Sequence, residues 1–279
     1  MKRAIVGIAS LAMLGGAYCL SAQAPAPVGM MTWQLSGTLP KAVQAQSPMP
    51  MSDIPKMQFQ FGGDGKRFAM SVALADSVSD PAMAVFADAT IKMVVRAGGD
   101  TVDVAIGVPA AARAMVASLA SPENSANPPE GYRISAAMPN LDSLMKANID
   151  KVDSVNTNDV KTRSLATTRK VGGLTCTNWQ MITATDTVDV CVVENLPFSG
   201  AMQSWMASKL NFAELMKRAG STTTQLFGGK MAFPIRLSSG DGSFVMEMVS
   251  TSDAAPPAAF FEIPTAFKSI DPKKLQTPG

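Results

Sequence analysis

In MQFQFGGDGKRFAMSVAL (residues 57–74), Met57, Phe59 and Phe61 alternate with Gln58 and Gln60, and Phe68, Met70, Val72 and Leu74 alternate beyond a Gly62-Gly63-Asp64-Gly65 turn. A period of two puts successive side chains on opposite faces of a strand, and a Gly/Asp turn between two such runs makes an antiparallel hairpin. The pattern repeats on both sides. Met31, Trp33 and Leu35 share a face upstream, and Ile91, Met93 and Val95 follow. Beyond Gly98-Gly99-Asp100 come Val102, Val104 and Ile106, then Tyr132, Ile134 and Ala136. Strands joined by tight turns form a meander with one apolar face.

The N-terminus reads as an export signal. Lys2 and Arg3 precede an apolar run from Ala4 to Leu14, and small residues end in Ala22-Gln23-Ala24. A basic start, an apolar core of about ten residues and an A-x-A exit are what signal peptidase recognises. Cleavage is expected after Ala22 or Ala24. A lipoprotein reading of Cys19 is opposed by Tyr18, where a small residue is wanted. What remains, 25–279, is expected to be a single domain of about 255 residues. Its charge is balanced: the chain has 24 Lys+Arg and 22 Asp+Glu, and two of the basic residues leave with the signal. No basic patch of the kind that nucleic acid requires is visible in the sequence, and no second segment is apolar enough to span a membrane.

Two cysteines outlast cleavage, Cys176 and Cys191, and they lie in a hairpin of about Leu174–Ile182 and Val188–Val193. Placing Cys176 opposite Cys191 sets Asn178 against Asp189 and Trp179 against Val188. Trp179, Met181, Val188, Val190 and Val192 then share an apolar face, with the disulfide among Asn178, Gln180 and Asp189 on the other. Pairing and polarity agree, which favours the bond, and the spacing is not the C-x-x-C of redox enzymes.

Three helices are expected: Pro109 through Ala120, a short one at 140–147 capped by Asn140, and 199–219. In the last, Met202, Trp205, Met206, Lys209 and Leu210 form one stripe, and an Asn211/Glu214 capping box restarts the helix at Phe212. Residues 121–131 and 147–163 read as loops. A last hairpin joins Phe233, Ile235 and Leu237 to Phe244, Met246 and Met248 through Ser239-Gly240-Asp241-Gly242, and a final strand surrounds Phe260 to Ile263. The expected fold is α+β: a curved antiparallel sheet, or half-barrel, with a few short helices covering its concave face.

The chain has no histidine, which removes the Ser/His and Cys/His pairs of nucleophilic catalysis and histidine metal sites. The carboxylates Asp100, Asp103, Asp186 and Asp189 sit in turns or on polar strand faces, where solvation explains them. None of the glycine pairs opens a strand-to-helix phosphate loop. Thioethers two apart in Met49-Pro50-Met51 and Met246-Glu247-Met248, with Met30 beside Met31, are the soft ligands that Cu(I) takes. The same side chains fill apolar strand faces, and Met246 and Met248 extend the Phe244 face without a metal. No cofactor and no enzymatic activity are expected. Incomplete cover of the apolar face leaves a groove; complete cover leaves a dry core. The groove reading names as ligand-lining residues Phe68, Met70, Val72, Met93, Val95, Trp179, Met181, Phe233, Ile235, Phe244 and Met246.

Four motifs carry a family resemblance: G-G-L-T-C-T-N-W at 172–179, V-C-V-V-E-N-L-P at 190–197, G-G-K-M-A-F-P-I-R-L at 228–237 and F-F-E-I-P-T-A-F-K at 260–268. In order and spacing the chain resembles, over about 165–268, the exported bacterial family catalogued as domain of unknown function 4412. Cys191 is not part of that likeness. The family is similar in layout to lipoprotein-carrier (Lol-type) half-barrels, and the resemblance implies binding of a hydrophobic ligand or lipid anchor, with no catalytic residues to carry over. The expected function is an exported, non-catalytic binding or carrier protein for a hydrophobic or lipid-like ligand in the cell envelope, periplasmic or secreted. The alternative is an envelope structural or regulatory module whose partner is another protein.

Overall fold

A computed structural model describes residues 26–38, 53–74, 89–96, 101–113, 128–137, 161–182, 187–194, 196, 198, 201 and 232–270. The meander is present. Strands β2 (Asp53–Asp64) and β3 (Arg67–Leu74) pair antiparallel with Phe59 opposite Val72 and Phe61 opposite Met70. Asp64 closes their turn by accepting the Lys66 and Arg67 amide hydrogens at 3.0 and 2.6 Å. β4 (Thr90–Arg96), β5 (Thr101–Gly107) and β6 (Gly131–Ala137) continue in sequence, each antiparallel to the last.

The second half is built alike from β7 (Lys161–Val171), β8 (Leu174–Ile182), β9 (Thr187–Glu194), β10 (Ala232–Ser239) and β11 (Phe244–Ser252). β1 (Val28–Thr38) joins the halves, pairing with β2 on one side and β11 on the other. A three-residue β12 (Lys268–Ile270) adds to β6 in parallel. The result is one twelve-stranded sheet in the order β12-β6-β5-β4-β3-β2-β1-β11-β10-β9-β8-β7. It is open and predominantly antiparallel, ending in two edges rather than closing on itself.

Several expectations need correction. The described part of the fold is mostly antiparallel β: among the described residues the helical content is little more than two 3-10 turns, Ala110–Ala112 and Ala258–Phe261. The first is the beginning of the helix expected after Pro109; its remainder, the helix at 140–147 and all of 199–219 but Ala201 fall outside the described residues, as do the signal segment and Met49 to Met51. The loop expected over 147–163 gives way to β7 at Lys161. An exposed edge strand lacks the apolar alternation that marks a half-buried one. Its hairpin to β8 turns through Gly172 and Gly173, at φ 55° and 84°, which L side chains rarely adopt.

The final strand is not at Phe260–Ile263. Pro256, Pro257 and Pro264 withhold three amide donors from any ladder, and this stretch instead crosses the sheet as a strap before β12 forms. The cystine hairpin is offset by two residues: Asn178, not Cys176, lies opposite Cys191, and Trp179 faces Val190. Cys176 and Cys191 are therefore diagonal neighbours, 5.4 Å apart at Cα, and they are bonded. An offset of two preserves every side chain's face, but the face that carries the cystine is not wholly polar: Cys176 and Cys191 are buried in the main core.

The main core gathers Met31 and Trp33 of β1, Phe68, Val95 and Val102 of the first half, and Cys176, Cys191, Phe233, Ile235, Met246 and Met248 of the second. A bulge makes this possible. In β10 the register against β9 shifts between Pro234 and Arg236, so Leu237 meets Val190 while Phe233 meets Val193. Those two valines belong to opposite faces of β9, and the extra residue brings the cystine side of that strand onto the core. Trp33 and Phe233 meet edge to face across the junction, ring centroids 6.1 Å apart.

Behind β2–β6 the strap lies on small residues. Phe261 packs with Ala69 and Val94, joined by Phe260 and Ile263. A Cβ on Gly62 would meet the Phe260 ring at 2.7 Å and Pro256 at 2.8 Å, and one on Gly131 would meet Phe267 at 2.6 Å. The Arg67 guanidinium stacks over the Phe261 ring at 4.3 Å, and the Lys92 ammonium donates to the Glu262 carbonyl at 3.0 Å. Burial lowers the Lys92 pKa, with the Glu262 charge opposing it.

Candidate functional site

With its back occupied by the strap, the first half presents its other face as three apolar rows. Register places Trp33, Phe59, Val72, Ile91, Ile106 and Tyr132 side by side from β1 to β6. A second row runs Met31, Phe61, Met70, Met93, Val104 and Ile134, and a third Phe68, Val95 and Val102. Burial is graded across them. Phe68, Val95 and Val102 are buried, Phe61, Met70, Met93 and Val104 half-buried, and in the first row Ile91 and Ile106 are 46% and 39% exposed. Two isoleucines directly opposite each other and open to solvent are an uncompensated apolar surface beside a packed core.

Register carries the row on to Met248 of β11 beyond Trp33 and to Lys268 of β12 beyond Tyr132, and Trp33 and Tyr132 differ from the residues between them. Trp33 is 0% exposed and Tyr132 7% exposed, yet among the described residues the Trp33 indole N–H and the Tyr132 hydroxyl, like the neighbouring Arg133 Nε, have no hydrogen-bond partner. Buried polar groups are nearly always paired, so each is an exception calling for an explanation. Every described side chain on this face of β2–β5 is uncharged. The surface of β2–β5 therefore suits apolar contact, and the nearest charge along the row is Lys268 of β12, beside Tyr132.

Of the residues expected to line a groove, Phe68, Met70, Val72, Met93 and Val95 are neighbours on β3 and β4. Phe233, Ile235 and Met246 join Phe68 and Val95 in the main core, with Met93 and Phe244 packed against it. Trp179 and Met181 stand on β8 opposite Val190 and Val188, separated from β1 by β11, β10 and β9. Sequence reading did not select Trp33, Phe59, Ile91, Ile106 or Tyr132. All five lie in alternating runs, and carrying each run's phase across the meander brings them into one row.

The other face of the second half is polar. The Arg163 guanidinium donates to Gln180, whose amide donates to Asp189 at 2.9 Å. Arg236 lies 3.4 Å from Glu247 and donates to Ser238 at 2.9 Å. Burial and then the Arg169 charge lower the Arg236 pKa, against Glu247 and Asp189. Among the described residues no three Cys, Asp or Glu side chains are grouped to hold a metal ion, and no helix is long and apolar enough to cross a membrane.

No curated protein matches the chain. Two solved structures of PNGF-II, in P21 and C2 space groups, are similar at 10% identity with TM-scores of 0.29 and 0.30. They align with 90% and 89% of this chain and 32% of their own, so it spans about a third of their length. Likeness at those scores carries no inference about fold or function. Residues 136–267, from the end of β6 through the strap, match the family described as "Domain of unknown function (DUF4412)", the family that the motifs at 172–179, 190–197, 228–237 and 260–268 resemble.

Proposed function

We propose that this is an exported, non-catalytic binding or carrier protein for a hydrophobic or lipid-like ligand of the cell envelope, with the apolar face of β2–β5 as its ligand surface. The observation that carries the reading is the exposed Ile91–Ile106 pair, continuous by register with half-buried Val72 and Phe59. Flexible methionines beside it, Met70 and Met93, suit adaptable contact with aliphatic chains. In this reading the sheet is the open half of a barrel, similar to the Lol-type layout. The signal at 1–24 sends the chain to the periplasm or beyond, and the Cys176–Cys191 bond agrees with an oxidising compartment.

Native mass spectrometry and solvent extraction of protein purified from the periplasm are expected to show a co-purifying lipid. Protein that emerges empty and also ignores fluorescent fatty-acid probes overturns the reading. One feature favours the alternative, an envelope protein-binding module. β7 is a long exposed edge with Lys161, Arg163, Arg169 and Lys170 and no acidic residue, and an edge strand can accept an extended segment of a partner. A stable protein partner in pull-downs, without lipid, decides for it.

A further inference from the structure

The eight described methionines fall into two sets. Met31, Met181, Met246 and Met248 are buried, three of them in the main core. Met30, Met57, Met70 and Met93 are half-buried. Of these, Met70 and Met93 lie directly opposite each other on β3 and β4, within the apolar face, and Met93 stands two residues from exposed Ile91. Their other neighbours by register and along the strands are Phe61, Phe68, Val72, Ile91, Val95 and Val104. None of those side chains has a hydrogen-bond donor to offer. A thioether suits such surroundings because it is apolar and polarizable. Its sulfoxide does not: the added oxygen makes the side chain polar, and with no donor beside it that oxygen must bond to water. An apolar ligand laid over the pair would strip the water and leave the acceptor unpaired, a burial that costs free energy. The buried methionines are withheld from a dissolved oxidant by the close packing around them.

We propose that Met70 and Met93 form a reversible oxidation site through which a peroxide closes the apolar face of β2–β5 to its ligand; the inference rests on the binding role above. A sulfur lone pair attacks one peroxide oxygen. The O–O bond breaks as the S–O bond forms, and the other oxygen leaves, taking a proton, as water or an alcohol. Sulfur is oxidised by two electrons and the peroxide is reduced by two. Thiol-dependent sulfoxide reductases reverse the step, releasing the oxygen as water while two thiols become a disulfide.

The test treats the mature protein with hydrogen peroxide and follows two readouts. Peptide mass spectrometry gives oxygen uptake at each methionine, and titration gives affinity for the neutral apolar probe N-phenyl-1-naphthylamine. Met70 and Met93 are expected to gain oxygen at least about tenfold faster than Met31, Met246 and Met248. Probe affinity is expected to fall about tenfold, the order of one unpaired buried polar group. The β-sheet circular dichroism stays unchanged, and the affinity returns on treatment with sulfoxide reductases. Each protein is read as its affinity after peroxide relative to before, so a variant's own starting affinity cancels. Met70→Leu with Met93→Leu is expected to abolish the fall, and Met30→Leu, on the opposite face of β1, is expected to keep it. Uptake at the pair no faster than in the core overturns the inference and leaves the binding role standing. So does an oxidised pair with unchanged affinity, a fall that persists in the double leucine variant, or a fall that accompanies loss of the sheet signal. Untreated protein that never takes up the probe removes the inference and the binding role together.

Discussion

The two halves of the sheet protect their second faces by different means. Behind β2–β6 a proline- and phenylalanine-bearing strap packs on Gly62, Ala69, Val94 and Gly131. In β7–β10 the equivalent place holds a lattice of Arg163, Gln180, Asp189 and Arg236, and the cystine between those strands is buried in the main core. The strap works by area and needs small residues beneath it. The cystine hairpin works by connectivity and tolerates polar neighbours. That division leaves the first half free to keep its other face apolar and partly uncovered, because the back of the same strands already supplies burial.

Removing the covalent tie is the largest way to break this contrast. Cys176→Ala with Cys191→Ala releases a link across 15 residues of chain, worth roughly 3 kcal/mol in the loop-entropy account. Urea unfolding is expected to show that loss. Amide exchange is expected to quicken in β8 and β9 well before β3 and β4. Uniform acceleration through both halves would mean that the link supports the shared core, in which Cys176 and Cys191 are buried, as much as its own hairpin.

A smaller perturbation addresses the other half. In Gly62→Ala the new methyl overlaps the Phe260 ring and Pro256, and an overpacked contact of this kind typically costs about 1–3 kcal/mol. The strap is expected to lift, seen as faster exchange at the Phe260 and Glu262 amides, which bond the Pro257 and Ala259 carbonyls. β8 and β9 are expected to be unaffected. A variant as stable as the parent with an unchanged strap would show that the small-residue track is incidental.

The meander was legible because period two is a local signal: MQFQF and FAMSV declare their faces without any partner. What escaped was non-local. Nothing in residues 28–38 says that β1 pairs with β11, yet that pairing joins the halves and puts Trp33 against Phe233. The strap escaped because alternation in Phe260-Phe261-Glu262-Ile263 imitates a strand, while the glycines that receive it lie far away in sequence. β7 escaped because a solvated edge carries no apolar stripe. For the candidate site, the β3 and β4 residues were named from their own pattern. Trp33 and Tyr132 stand out only once their hydrogen-bonding groups are found buried without partners.

The same turn device occurs in both halves and gives the finest comparison. Asp64 ends β2 and Asp241 lies between β10 and β11, each accepting the backbone amide hydrogen two residues on. Burial raises the Asp64 pKa, but the Lys66 and Arg67 amides and the Arg67 guanidinium outweigh it, and the net shift is downward. Asp241 is exposed, and hydrogen bonds from Ser239 and from the amide and hydroxyl of Ser243 lower it to about 2. A carboxylate whose folded pKa is depressed stabilises the fold above its unfolded value and loses that contribution as pH falls through the folded one. Both contributions are therefore full at neutral pH and fade below the ordinary value of 3.8, Asp241's as pH approaches about 2. Asp64→Asn is expected to cost about 1 kcal/mol at pH 7, because Arg67 also loses the partner that holds it over Phe261. Asp241→Asn is expected to cost well under about 1 kcal/mol, since its bonds compete with water. Urea unfolding of both variants and the parent from pH 7 to pH 2 should show each deficit shrinking at the acid end. Equal deficits at neutral pH would mean that Asp64 is only a turn residue, and that the strap holds without the Arg67 clamp.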